Sequence, residues 1–185
     1  MRCEWCGDDP QYIAYHDDEW GRPCFERTAL FECLNLEGQQ AGLSWITVLR
    51  KRDHYRKVFA DFEPERVARF TAKKVEKLVL DPGIIRHRGK IEAIITNAKA
   101  LLALEKTDGD FATWIWTFVD GEPQRNACRS MADVPAVTPT SERMSKTLKK
   151  RGFRFVGPTT CYAFMQAVGM VNDHMVGCDC YEDCG

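Results

Sequence analysis

Two histidines and two cysteines at opposite ends of this 185-residue chain carry the chemistry of a metal centre. Cys3 and His16 stand near the start. His174 and Cys178 stand near the end as His-x3-Cys, a spacing that lets both side chains reach one ion. Two thiolates with two imidazoles suit tetrahedral zinc, and four protein ligands leave no position for water. The set therefore predicts a structural Zn2+ that ties the two termini together. On spacing alone Cys6, Cys180 and Cys184 are rivals, since Cys3-x2-Cys6 is itself a ligand spacing. The cysteine count of nine is odd and no export signal precedes it, which favours reduced thiols and metal ligation over a disulfide scaffold.

A second group surrounds one carboxylate. In Glu37-Gly38-Gln39-Gln40-Ala41-Gly42-Leu43-Ser44-Trp45 an acid closes one apolar segment and an indole opens the next. Trp5, Tyr12, Tyr15 and Trp20 flank His16, so a metal-fixed segment holds enough flat rings to build a wall. Ring faces with a single acid are what a planar, electron-poor heterocycle needs. Stacking reads its shape, ring quadrupoles attract positive charge, and the carboxylate accepts from an exocyclic amine.

The third group is a turn. Asp81-Pro82-Gly83-Ile84-Ile85-Arg86 joins two helical patterns, Val75, Leu78 and Val79 before it and Ile91, Ile94, Ile95, Ala98, Leu101 and Leu102 after it, and so predicts a helical hairpin. Gly83 is expected to take a backbone conformation other residues resist. The next helix start leaves N–H groups free for a phosphate oxygen, with Arg86, Arg88 and Lys90 around it. Such a hairpin fixes register on a nucleic-acid backbone without reading bases.

These groups need a scaffold, and helical periods dominate. Residues 29–36 and 44–59 read as helices, the pair broken at Gly38 and Gly42 with Ser44 as N-cap. Ser141 is expected to cap a helix ending at Gly152, and residues 159–168 form a last apolar helix. Residues 120–140 are loop-rich, interrupted by Gly121, Pro123, Pro135 and Pro139. No alternating run reads as a strand, so the fold class is mainly α. The length suits one unit rather than two domains with a linker.

The net charge of -1 means that polyanion affinity must come from arrangement. Arg143, Lys146, Lys149, Lys150, Arg151 and Arg154 form a basic run, whereas Glu4, Asp8, Asp9, Asp17, Asp18 and Glu19 make the N-terminal segment acidic. No stretch is long and apolar enough for a membrane span, and a monomeric cytoplasmic protein is expected.

Several segments together resemble one family. They are Tyr12-Ile13-Ala14-Tyr15-His16-Asp17, Glu19-Trp20-Gly21, Leu36-Glu37-Gly38-Gln39-Gln40-Ala41-Gly42-Leu43-Ser44-Trp45, Gly83-Ile84-Ile85-Arg86-His87-Arg88-Gly89-Lys90, Lys150-Arg151-Gly152-Phe153 and Asn172-Asp173-His174. In this order, over nearly the whole chain, they look like the 3-methyladenine DNA glycosylase I family. The resemblance implies a monofunctional base-excision repair enzyme of the helix-hairpin-helix glycosylase type, acting on double-stranded DNA that contains alkylated bases. A lobe of about residues 1–25 plus 160–185, joined by zinc, would sit on a central helical lobe of about 26–159.

The resemblance puts the metal ligands on Cys3, His16, His174 and Cys178 and demotes the other three cysteines. It puts the lesion-reading carboxylate on Glu37 and base contacts on Tyr15 and Trp45, with Trp5, Tyr12 and Trp20 as further wall. Gly42 and Leu43 match a loop that enters the duplex. The chain departs from the wider glycosylase type in one respect. The aspartate or lysine usually found beyond the hairpin has no counterpart in Lys99, Asp108 or Asp110, so the role of Glu37 toward water stays open. A zinc deaminase would need His-x-Glu and Pro-Cys-x-x-Cys, which are absent. A non-enzymatic nucleic-acid-binding module is the other reading.

Overall fold

The computed structural model describes residues 1–184. Helix α1 (Pro10–Asp18) starts at Asp9, whose carboxylate accepts from the N–H groups of Gln11 and Tyr12. Glu26 does the same for Thr28 and Ala29 at the start of α2 (Arg27–Gln40). Four short helices follow: α3 (Trp45–Leu49), α4 (Arg52–Val58), α5 (Pro64–Val67) and α6 (Ala72–Val79). Helix α7 (Arg88–Asp108) leads to α8 (Phe111–Trp116), strand β1 (Gln124–Arg125), α9 (Pro139–Lys150), α10 (Pro158–Ala167) and β2 (Val171–Asn172). The two strands pair in parallel, Gln124 opposite Val171, and are the only sheet among the described residues.

Helix α7 is the central rod. Its stripe of Ile91, Ile94, Ala98 and Leu101 is fully buried, and α2, α5, α6 and α8 pack on it. Helices α9 and α10 pair with each other, and α10 closes on α2. Burying a large aliphatic side chain contributes about 1.5–3 kcal/mol, so this stripe is a main source of stability.

Five sequence expectations change. Helix α2 does not break at Gly38 but runs to Gln40. A Cβ at Gly38 would meet the carbonyl oxygen of Phe155 at 3.1 Å, so glycine here permits close packing inside a helix. Residues 44–59 form two helices, because the backbone turns at Arg50 and Lys51. Ser44 does stand at an N-cap, but its hydroxyl meets Thr47 Oγ1 at 2.8 Å and caps no N–H.

Helix α9 starts three residues earlier than expected. Thr138 is the cap, Pro139 takes the first helical position, and Ser141 is the returning member of a capping box. Its end is as read: Gly152 has φ +91°, and the Phe153 N–H reaches the Leu148 carbonyl.

Gly83, the fifth, lies outside the left-handed region. A Cβ there would stand 2.3 Å from the His54 ring, which is held by Asp81 at 2.8 Å. The turn therefore needs glycine for space. Its N–H groups are also less free than expected. Asp81 accepts from Gly83 at 2.8 Å, and the Tyr55 hydroxyl accepts from Ile85 at 3.1 Å while donating to Gln39.

Another glycine carries the contact between the two ends of the chain. Gly169 has φ +71°, and a Cβ on it would lie 2.5 Å from backbone atoms of Arg22 and Pro23. Backbone cannot rotate aside as a side chain can. Gly169→Ala is expected to cost about 3 kcal/mol or more, combining overpacking with left-handed strain, and thermal unfolding followed by circular dichroism checks it.

Candidate active site

The carboxylate and the rings meet in one cavity. Its volume is about 330 Å³, at the small end for ligand pockets. Glu37 sits in the last turn of α2, the negative end of a helix, and faces this cavity from its floor. The side chain is 5% exposed and makes no hydrogen bond or ion pair among the described residues. Burial pushes its pKa from 4.5 up to about 8, because the charged form has lost water and gained no partner.

The rings stand as a connected wall. Tyr15 and Trp45 pack at 5.4 Å between centroids with a 42° tilt. Trp5 meets Tyr12 at 5.0 Å and Trp20 at 4.9 Å, both edge-on. The indole N–H groups of Trp5 and Trp45 are buried with no acceptor among the described residues. All five rings line the cavity with Glu37, so every base-contact residue expected from sequence is brought together. Arg52 supports the wall from behind, its guanidinium 5.9 Å from the Tyr15 ring centroid and bonded to both Glu19 oxygens.

The wall rests on a buried cluster of ligand-type atoms. Cys3, His16, His174 and Cys178 offer ligand atoms all within 4.8 Å of one another, and this set could hold a metal ion. Cys178 Sγ lies 3.5 Å from both His16 Nε2 and His174 Nδ1, and Cys3 Sγ lies 3.6 Å from His174 Nδ1. Each imidazole has an acceptor for its other nitrogen. His16 Nδ1 is 2.7 Å from Asp17 Oδ1 and His174 Nε2 is 3.0 Å from the Trp20 carbonyl, which aims the remaining lone pair of each ring at the cluster. Burial lowers the His174 pKa to about 4 and keeps that lone pair free. Cys6 and Cys184 lie outside the set; Cys180 neighbours His16 and Asp17 in a second, overlapping group. Trp20 links the cluster to the cavity, with its ring 4.7 Å from that of His174.

The loop after Glu37 forms the rim. Gly42 has φ +79°, Leu43 is 42% exposed, and both line a groove of about 200 Å³ that shares Glu37, Gln40, Thr159 and Ala163 with the cavity. The hairpin lies beside this loop through a contact the sequence did not announce. Lys90 is 6% exposed, and its ammonium donates to the carbonyls of Gln39 at 2.8 Å and Ala41 at 2.7 Å. It caps the end of α2, and its expected role at the surface of the hairpin is corrected: the charge points inward and cannot reach a phosphate. Arg88 is exposed but forks onto Glu76. Arg86 is exposed and makes no ion pair among the described residues.

One wall was missed. Thr159, Tyr162, Ala163 and Gln166 of α10, with Asp173 after it, face the aromatic wall, and Met131, Val134, Pro135 and Ala136 close the third side. The three- and four-residue spacing of Thr159, Tyr162 and Gln166 was the available signal, a polar stripe on an otherwise apolar helix.

Residues 5–181 match the family model for methyladenine glycosylase. The chain belongs to this family. DNA-3-methyladenine glycosylase 1 of Escherichia coli (strain K12) is 56% identical over 180 residues, covering 97% of this chain and 96% of that protein. A crystal structure of 3-methyladenine DNA glycosylase I superposes with a TM-score of 0.96 at 56% identity, covering 98% of this chain and all of the other. The Staphylococcus aureus 3-methyladenine DNA glycosylase I, solved to explain its recognition of 3-methyladenine, is 40% identical with a TM-score of 0.95, covering 97% of this chain and 96% of that one. The methyladenine glycosylase fold is thus mainly helical here, and among the described residues no helix is long and apolar enough to cross a membrane.

Proposed function

We propose that this protein is a monofunctional DNA-3-methyladenine glycosylase, which flips N3-methylated adenine out of alkylated duplex DNA and hydrolyses its N-glycosidic bond to leave an abasic site. One observation carries the reading beyond family membership: a buried carboxyl group with no partner among the described residues, set on the floor of an aromatic cavity sized for one purine. Orphaned buried polar groups are rare, and the indole N–H groups of Trp5 and Trp45, both without an acceptor among the described residues, stand at the same site.

An N3-methylated purine is cationic while attached to deoxyribose, so it departs as a neutral base and the enzyme needs little chemical help. Tyr15 and Trp45 hold the extruded base, with Trp5, Tyr12 and Trp20 behind them. Glu37 becomes ionised beside the cation and accepts from its amino edge while water attacks an oxocarbenium-like sugar. Leu43, on the turn made by Gly42, fills the space the base leaves in the duplex. Arg86 and the turn at Gly83 meet the backbone in helix-hairpin-helix fashion, and Arg88 joins them by exchanging Glu76 for phosphate.

The buried cluster fits structural Zn2+. Bonds of about 2.0–2.3 Å in a tetrahedron place nitrogen and sulfur about 3.5 Å apart, which the sulfur–nitrogen separations match. Zinc there joins residues of about 1–25 to those of about 160–185 in one lobe of a single monomeric domain, working in the cytoplasm.

The deciding measurement is base release from dimethyl-sulfate-treated duplex DNA, separated chromatographically. Expected is 3-methyladenine with little 7-methylguanine. DNA binding without any released base overturns the reading.

A further inference from the structure

Gln39 and Lys90 bond to each other in both directions across 51 residues of sequence. The Gln39 amide donates to the Lys90 carbonyl at 3.1 Å, and the Lys90 ammonium donates to the Gln39 carbonyl at 2.8 Å. The same ammonium reaches the Ala41 carbonyl at 2.7 Å. The Gln39 side-chain oxygen accepts from the Tyr55 hydroxyl, which in turn accepts from the Ile85 N–H. Gln39, Tyr55 and Lys90 are all buried. The network staples the end of α2 to two points of the hairpin, its turn at Ile85 and the first turn of α7. Burial lowers the pKa of Lys90, and no carboxylate pairs with it among the described residues. A long cation kept from water and held by main-chain carbonyls gives up hydration and rotamer freedom that an outward lysine keeps. What it holds is the rim loop. Residues 41–44 are exposed, and the bond from Lys90 to Ala41 is their only hydrogen bond to a segment beyond α2 and α3 among the described residues.

We propose that Lys90 is a positioning residue for base extrusion: it presets the loop of Gly42 and Leu43 against the hairpin, so that gripping the DNA backbone and entering the duplex occur in one fixed register. The inference rests on the glycosylase reading and deepens it. In that reading Arg86 and the turn at Gly83 meet phosphate, and Leu43 fills the space behind the lesion; the Lys90 tie sets the distance between the two. A loop ordered before binding loses no freedom during it, and the gain falls on the step that opens the base pair. The ammonium faces inward and touches no part of the substrate. The cavity has supports of its own, the packing of Tyr15 on Trp45 and the buried ligand-type cluster, so a fault in the loop is separable from a fault in the cavity.

Lys90→Met keeps the unbranched stem and removes the donors. Its substrates are oligonucleotides with a single adenine, methylated by dimethyl sulfate and annealed with either thymine or an abasic analogue opposite that adenine. Single-turnover release of 3-methyladenine across from thymine is expected to fall by about thirtyfold, the effect of a misplaced positioning element. Across from the abasic analogue no pair has to be broken, and the loss should shrink to within about threefold. Affinity for free 3-methyladenine, followed by tryptophan fluorescence, should also stay within about threefold of wild type. Leu43→Ala should lower release across from thymine too, and adding Lys90→Met to it should cost little more, because both act through the same insertion. Wild-type release by Lys90→Met across from thymine overturns the proposal. Equal losses on both duplexes, weaker binding of the free base, or full additivity with Leu43→Ala would mark the lysine as a general support and overturn it as well. Should Lys90→Met not fold, Lys90→Gln, which keeps a donor for one carbonyl, takes its place; collapse of both variants sinks the idea. Absence of base release by the wild type removes the glycosylase reading itself, whereas its presence with an unaffected Lys90→Met protein removes this proposal alone.

Discussion

Glu37→Gln is expected to lower single-turnover release of 3-methyladenine by about a hundredfold while making the protein more stable. Both effects follow from one fact, the confinement of a lone carboxyl among rings. In the empty cavity the group titrates near 8, against 4.5 for an ordinary glutamate, so the folded state holds its proton more tightly than the unfolded state does. Between those values the unfolded chain releases protons the native protein keeps. Stability therefore falls as pH rises from 4.5 through about 8, then levels off. The glutamine variant has no such dependence. Its advantage in melting temperature should widen between pH 6 and 8.5. The same titration shapes activity: kcat/KM for the wild type should climb with pH to a plateau above about 8, because the free enzyme must give up this proton to pair with the cation, and the variant should be flat. A variant with wild-type single-turnover rates would remove Glu37 from the chemistry. A melting-temperature gap independent of pH would mean that the carboxyl is not confined as described.

How far the sequence announced this depends on where each signal is stored. The stripe of Ile91, Ile94, Ala98 and Leu101 was legible because a buried helix face repeats locally, and it is buried as read. Cys3 and Cys178 were legible as partners across the length of the chain because their residue type is chemically rare and each sits near a histidine. Glycine was ambiguous. The letter says that no side chain fits, but not whether backbone angle or a neighbour forbids it; Gly38 and Gly83 both turned out to be crowded by Phe155 and His54 from distant segments. Lys90 was misread for a related reason. Its flexible stem reaches carbonyls 51 and 49 residues away, and nothing beside it in sequence distinguishes an inward charge from an outward one. Asp173 was overlooked because its neighbour His174 accounted for the motif that contains both, and its donors come from the β1–α9 and α10 segments.

Removal of the proposed zinc is the second large effect expected. Without an ion, the buried cluster brings two thiols and two imidazoles together with little else to hold them, and the Cys3 thiol is pushed up to about 12 by burial. The two strands have only two residues each, and the other ties between the terminal segments are mostly surface contacts such as Met1 to Asp179 and the seat of Gly169, so the cluster is the main buried polar link between them. Structural zinc in small domains contributes on the order of 10 kcal/mol to folding. Cys178→Ser should therefore fall below one equivalent of zinc, lose more than about 5 kcal/mol of stability and expose its termini to trypsin first. Activity should disappear with it, since Trp5 and Trp20 are positioned through Cys3 and His174. Loss of activity alone cannot distinguish a supporting metal from a reacting one, but exchange can. Cobalt in the same site should give the intense visible bands of a tetrahedral S2N2 ion and leave excision within about threefold of the zinc form, because a closed sphere lends no ligand position to water. Cys6→Ser and Cys184→Ser should keep full metal content, as their sulfurs lie outside the four-atom set. A cobalt spectrum that shifts when alkylated DNA binds would show that the sphere is open, and would move the ion from scaffold to chemistry.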